Sequence, residues 1–284
     1  MDQALNAVVE ELKFLKKQGV ERVYVQDETL EKLRKKVGPK PVVIEQAAPQ
    51  KPAPKAKKKA AAPIGKPIPA PKEVVLPDGD KAMQYAWLKK KVLNCPVCKE
   101  HVKPGKQVVF GVGNIDADVF FCGEAPGAEE EVQGEPFVGP AGQLLTKIIQ
   151  AMGLQRQDVY IGNIMNWRPE MPTEFGNRPP TQEEMAFCLP YLRAQVAVVK
   201  PKLIVALGST AVNGLLGHDA KRRMGDVRGK WFDFEQTPLM ITYHPSYLLR
   251  NNTLRTKRLV WEDMLQVMER VDMPISDKQR AFFS

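Results

Sequence analysis

The segment His244-Pro-Ser-Tyr-Leu-Leu-Arg250 gathers an imidazole, a proline turn, two leucines and an arginine directly after an apolar run, Pro238–Tyr243. An imidazole held at the end of a buried strand can donate a hydrogen bond to charge developing on an oxygen. Leucines beside it can fill the gap left when a base leaves its stack. An arginine can meet a phosphate. A second such place is Gly123-Glu-Ala-Pro-Gly127, which follows the apolar run Asp118–Cys122. Its glutamate stands in a Gly/Pro turn, where a carboxylate is held in place. Together the two segments suit chemistry on a nucleotide in which a charged leaving group is stabilised.

Two further residues belong to the same chemistry. Asn163 offers a donor and an acceptor, the pairing needed to read a pyrimidine edge. Phe137, in Gly134-Glu-Pro-Phe-Val-Gly139, is an aromatic in a loop and is placed to stack or to pack. Each residue alone has a plainer reading: a turn former for Asn163, packing for Phe137, a strand cap for His244, an amide acceptor for Glu124. Their joint placement is what favours a site.

That placement follows from the elements. Four runs read as buried strands: Val119–Cys122, Val159–Ile161, Leu203–Leu207 and Leu239–Tyr243. Helical patterns lie between them at Gly142–Met152, Thr181–Val199 and Ser209–Leu216. The β-α-β order predicts a three-layer αβα domain around a central parallel sheet. Such sheets bind ligands beyond the carboxyl ends of their strands. Those ends deliver Gly123-Glu124, Gly162-Asn163, Gly208-Ser209 and His244-Pro245 to one edge.

The rest of the chain is organised differently. Residues 1–38 read as a mainly helical segment, too small to hold a core, with 1–37 open to a protein partner. Residues 39–72 read as a disordered linker, and Pro49–Lys72 holds seven lysines, seven prolines and no acid. Such a composition buries too little apolar surface to offset its ordering entropy. Residues 80–275 read as the catalytic domain. A net charge of +9 favours a polyanionic partner. Four cysteines in 284 residues make no disulfide framework. The first residues lack a signal-peptide pattern, and no apolar run approaches the ~20 residues of a membrane span. The expectation is a cytoplasmic, nucleoid-associated monomer with reduced thiols and no membrane contact.

Gly123-Glu-Ala-Pro-Gly127, Pro136-Phe-Val-Gly139, Gly142-Gln-Leu-Leu145, Asn163, Arg168-Pro169, Gly176-Asn-Arg178 and His244–Arg250 resemble the family 4 uracil-DNA glycosylases, in matching order from about Lys81 to Val271. The resemblance implies an N-glycosylase acting on uracil-containing DNA in base-excision repair. It implies Glu124 and His244 as catalytic groups, and Ala125, Gly127, Phe137 and Asn163 around the base. It places Ser209, Ser246, Leu248 and Arg250 against DNA, with Leu248 as the wedge. A related family carries an Asp where this chain has Ala125, so the base that activates water is Glu124 or a water-mediated route. The insertion Glu170–Phe175 has no histidine, which implies ordinary turnover. A DNA-binding or Fe–S regulatory relative with reduced catalysis is the alternative.

The resemblance also implies a 4Fe–4S cluster on four cysteines, although catalysis itself needs no cofactor. Cys95, Cys98 and Cys188 match three ligand positions, and Trp167 stands at the fourth. Cys122 is expected in the core. A cluster completed by another ligand such as His101, a zinc ion on Cys95, Cys98, Cys188 and His101, and a cluster replaced by Trp167 packing all stay open at this point.

Overall fold

The computed structural model describes residues 67–170 and 178–283. The readings for 1–38, for 39–66 and for most of the 170–175 insertion lie outside the described residues.

Six strands form one sheet in the order β1-β3-β2-β4-β6-β5. They are β1 (Val112–Gly113), β2 (Val119–Gly123), β3 (Tyr160–Asn163), β4 (Leu203–Leu207), β5 (Trp231–Phe234) and β6 (Thr237–Thr242). The middle four are parallel, with Gly123 opposite Asn163, Phe121 opposite Val205 and Leu207 opposite Thr242. Every residue of β2, β3 and β4 is buried, as strands covered on both faces require.

The sheet is mixed rather than wholly parallel, because β1 and β5 add antiparallel edges. β1 is too short to leave a sequence signal. The β5–β6 hairpin turns on Glu235 and Gln236, at φ 52° and 69°. Asn and Gly normally announce that turn, so the hairpin is hidden in the sequence.

Helices cover both faces. They are α1 (Lys81–Leu93), α2 (Pro96–His101), α3 (Glu130–Gln133), α4 (Pro140–Ala151), α5 (Gln182–Val199), α6 (Gly208–Leu216), α7 (Met224–Val227), α8 (Pro245–Arg250), α9 (Leu254–Arg270) and α10 (Asp277–Arg280). The alternation of strand side chains separates two cores. Phe120 and Cys122 pack with residues of α1, α5 and α6. Val119 and Phe121 pack with residues of α4 and α9. α5 begins with a capping box, in which Thr181 Oγ1 accepts from the Glu184 amide at 3.2 Å and Glu184 Oε2 accepts from the Thr181 amide at 2.6 Å. Residues 67–77 carry no helix or strand, yet Ile68, Val74 and Leu76 pack against the first core. Of these, Ile68 lies within the stretch expected to be a disordered linker, and Val74 and Leu76 follow it.

α9 is tied to the end of β6 by a buried carboxylate. Asp263 is fully enclosed, pairs with Arg228 at 2.6 Å and accepts from Thr242 Oγ1 at 2.6 Å. Burial pushes its carboxyl upward from the usual range, while Arg228 and Thr242 pull it down. Thr242 lies two residues before His244, so this pair also steadies the site. Asp263→Ala strands the Arg228 charge and is expected to cost roughly 3–5 kcal/mol. The measurement is a lower urea midpoint at unchanged slope.

Candidate active site

The four parallel strands end at one edge and open onto a cavity of about 660 Å³. Glu124, Phe137, Asn163, Ser209, His244 and Arg250 line it. Ala125, Gly127 and Ser246 border it too, so every expected site residue except Leu248 and the cysteines comes together there.

The strand ends are fixed by backbone pairing. Gly123 accepts from the Ile164 amide and Glu124 from the Met165 amide, each at 3.0 Å, which carries the β2–β3 ladder past the strands. Any side chain at Gly123 would collide with Asn163 Oδ1 and the Phe137 ring. Glycine there lets both groups close over the strand end. Asn163 is buried, and its Oδ1 has no hydrogen-bond partner among the described residues. A buried acceptor left open is costly unless a ligand completes it.

Phe137 sits at φ 55°, a left-handed conformation that a bulky residue rarely adopts. The Glu130 carboxylate holds it there. One oxygen accepts from the amides of Val138 and Gly139, both at 3.0 Å, and the other from the Gly127 amide at 3.1 Å. Arg156 also donates to the Pro136 carbonyl. The Phe137 ring lies 5.7 Å from the His244 ring, tilted by 31°.

His244 caps α8. Its Nδ1 accepts from the Ser246 amide at 3.1 Å and lies 2.8 Å from Ser246 Oγ. A neutral ring that accepts at Nδ1 carries its proton on Nε2, leaving Nε2–H as its donor. Burial, then the Arg250 charge, lower the imidazole to about 4 against the opposing pull of Glu130. Gly208, at φ 87°, lets the β4–α6 turn pass close under the His244 Cβ. Glu124 is half-buried. Burial raises its carboxyl above the usual range, and a hydrogen bond with Thr210 offsets part of that rise.

Leu248 is the residue expected against DNA as the wedge. It is 6 % exposed, while Leu249 is 49 % and Tyr247 37 % exposed. Pro245–Arg250 folds as a helix, and α8 lies against α4. That turns Leu248 inward and Leu249 outward. Tyr247 stacks on Tyr243, with centroids 4.6 Å apart.

Sequence reasoning missed Glu130 and Thr210. Glu130 stands in a run of three glutamates, Glu129–Glu131, that looks solvated, and only the fold shows it turned inward. Arg168 and Arg178 matched motifs without a site role, yet both line the cavity. Glu131 holds Arg168 at 2.9 Å, and Glu184 takes the Arg178 fork at 2.7 Å on each side.

The cysteines lie apart from this cavity and all four are buried. Cys122 is in the core as expected. Cys98 hydrogen-bonds Cys188, which together with burial raises its thiol, while its bond with Cys95 pulls it down. Trp167, at the implied fourth ligand position, is wholly buried and stacks on His101 with centroids 5.0 Å apart and planes at 14°. An indole offers an N–H and no acceptor, so it cannot ligate iron. The residues present do not fit a four-thiolate cluster. Nor do they form the zinc set with His101: no group of three or more His, Cys, Asp or Glu among the described residues is arranged to hold a metal.

A doubly wound αβα sheet brings an aromatic ring, an open amide and an imidazole together in one cavity at its carboxyl edge. The chain belongs to the uracil DNA glycosylase superfamily, whose family model matches residues 110–265. It is 43% identical over 176 residues to the Type-4 uracil-DNA glycosylase of Thermotoga maritima, covering 61% of this chain and 88% of that one. It is 42% identical over 180 residues to the Type-4 enzyme of Pyrobaculum aerophilum, with the same coverage. It is 38% identical over 172 residues to that of Archaeoglobus fulgidus, covering 58% and 83%.

Glu130→Ala removes the acceptor of three amides and the restraint on a left-handed Phe137. Each amide left buried and unpaired costs about 1–3 kcal/mol. The expected result is a lower melting temperature, with Phe137 amide and ring resonances broadened or shifted in NMR spectra of the folded variant.

Proposed function

We propose that this chain hydrolyses the N-glycosidic bond of uracil in DNA, leaving an abasic site for base-excision repair. The observation that carries the reading is the open Asn163 Oδ1, buried in the same cavity as Phe137 and His244. Uracil offers an N3–H to that oxygen and an O4 to the amide nitrogen. Phe137 stacks on the base. Ala125 and Gly127 give the base backbone rather than side-chain walls.

The bond from C1′ to N1 breaks with its electron pair leaving on uracil. Negative charge grows on O2, and His244 Nε2–H donates to it. With its imidazolium form disfavoured, the ring is neutral, and a neutral N–H shares its proton without giving it up, which suits stabilisation of an anion without full protonation. Water adds to the electron-poor sugar carbon and gives up a proton. Glu124, which lines the cavity, stabilises that carbon and receives the proton directly or through a second water, and its raised pKa supports it as a base. Arg168, Arg178, Ser209 and Arg250 border the mouth, where phosphates would lie. The finer parts of the reading are a monomer working on nucleoid DNA in the cytoplasm, with residues 1–37 open to a protein partner. Among the described residues no helix is long and apolar enough to cross a membrane.

The test is release of free uracil from an oligonucleotide in single turnover. Asn163→Asp should lose recognition by placing an acceptor against a base carbonyl. His244→Ala should bind nearly normally yet excise about 10²–10³ slower. Wild-type rates in both variants would remove these roles, and no release by the native chain would sink the reading. Because folded His244 titrates at about 4, imidazole protonation should not limit the rate until the pH nears that value. The stability sign is opposite to that of a partnered histidine. The unfolded ring titrates at about 6.5, so stability is intact above that pH and falls as the pH drops from 6.5 toward 4.

Leu249, the more exposed of the two leucines, is the better placed of the pair to act as the wedge. Unstacking a base costs a few kcal/mol. Leu249→Ala should slow excision from duplex DNA on the order of tenfold or more, about 1.4 kcal/mol of barrier, with single-stranded rates nearly unchanged. Leu248→Ala should instead lower stability by about 2–5 kcal/mol. A duplex-specific defect in Leu248→Ala alone would restore the original assignment.

A further inference from the structure

We infer that an aromatic plug built on Trp167 stands in this chain where the family resemblance implies an iron–sulfur cluster. The inference rests on the family resemblance and not on the proposed activity.

Three thiols remain: Cys95 at the start of α2, Cys98 within it, and Cys188 on α5. At the fourth position an indole fills the space. One face of the Trp167 ring lies parallel to His101. Phe187 meets it at 5.9 Å and 59°, and Phe187 in turn meets Tyr191 at 6.1 Å and 68°. The Tyr191 hydroxyl donates to Cys95 Sγ at 3.4 Å. The rings and thiols therefore form one continuous packed layer joining α2 and α5 to the segment that leaves β3. A buried indole removes ~150–250 Å² from water, which supplies by packing what a cluster supplies by coordination.

The position of Trp167 is set from both sides. Asn166 accepts from the Val109 amide at 2.8 Å and returns a bond from Nδ2 to the Val109 carbonyl at 3.0 Å. Arg168 pairs with Glu131. Met165 pairs with Glu124. Within four residues the segment thus touches the catalytic turn, the plug and the acidic helix α3. The plug braces Asn163 and Arg168 without metal.

The test measures iron, labile sulfide and zinc in the full chain, purified anaerobically from cells supplied with iron. No stoichiometric metal or sulfide is expected, and a chelator should leave the melting temperature unchanged. Stoichiometric iron with sulfide, or stoichiometric zinc, would overturn the inference. Trp167→Cys restores the fourth thiol, so anaerobic incubation with iron and sulfide should give the folded variant both elements and a visible absorption band. A folded Trp167→Cys that takes up neither would show that the plug does not stand in the place of a cluster. Trp167→Phe supplies a second reading should the cysteine variant fail to fold. It should remain metal-free and melt at lower temperature, and an unchanged melting temperature would overturn the plug. None of these readouts involves uracil release, so failure here and failure of the proposed activity are separable.

Discussion

One buried carboxylate, Glu130, organises the mouth of the cavity. Its two oxygens satisfy three amides from two loops, those of Gly127, Val138 and Gly139. Hydrogen bonds to a charged acceptor are the strong ones. Here they join the turn that carries Glu124 to the loop that carries Phe137. The left-handed backbone at Phe137 persists because the surrounding bonds over-determine it. Without this anion, the Phe137 loop and the Glu124 turn lose the three bonds that join them.

The second constraint is the common direction of β2, β3, β4 and β6. Parallel strands put their carboxyl ends on one edge, so four groups distant in sequence arrive within one cavity. Helices on both faces make those strands rigid by burying every residue of the central three. The active groups then need only short extensions beyond the sheet, each pinned locally: Glu124 by Met165 and Thr210, His244 by Ser246, Arg178 by Glu184.

Much of this was legible in the residues. Continuous apolar runs announce buried parallel strands, and the polar residues after them announce the edge. Runs such as Leu203–Leu207 match the observed strand end to end. What was hidden has physical causes. Glu235 and Gln236 make a tight turn without its usual residues. Leu248 and Leu249 are identical in type, and only the helical phase of α8 separates core from surface. Glu130 looks like its two acidic neighbours. A carboxylate whose partners are backbone amides leaves no complementary side chain in the sequence to reveal it.

Gly123 carries a consequence for how variants of this chain are read. It contributes no group to chemistry, yet two functional side chains rest on the space where its Cβ would be. A single alanine there would displace the Phe137 ring and the Asn163 amide at once. In a mutational scan the position would score like a paired loss of Phe137 and Asn163, with epistasis between them vanishing in its background. A residue defined by what it leaves empty would then pass for a third member of the cavity.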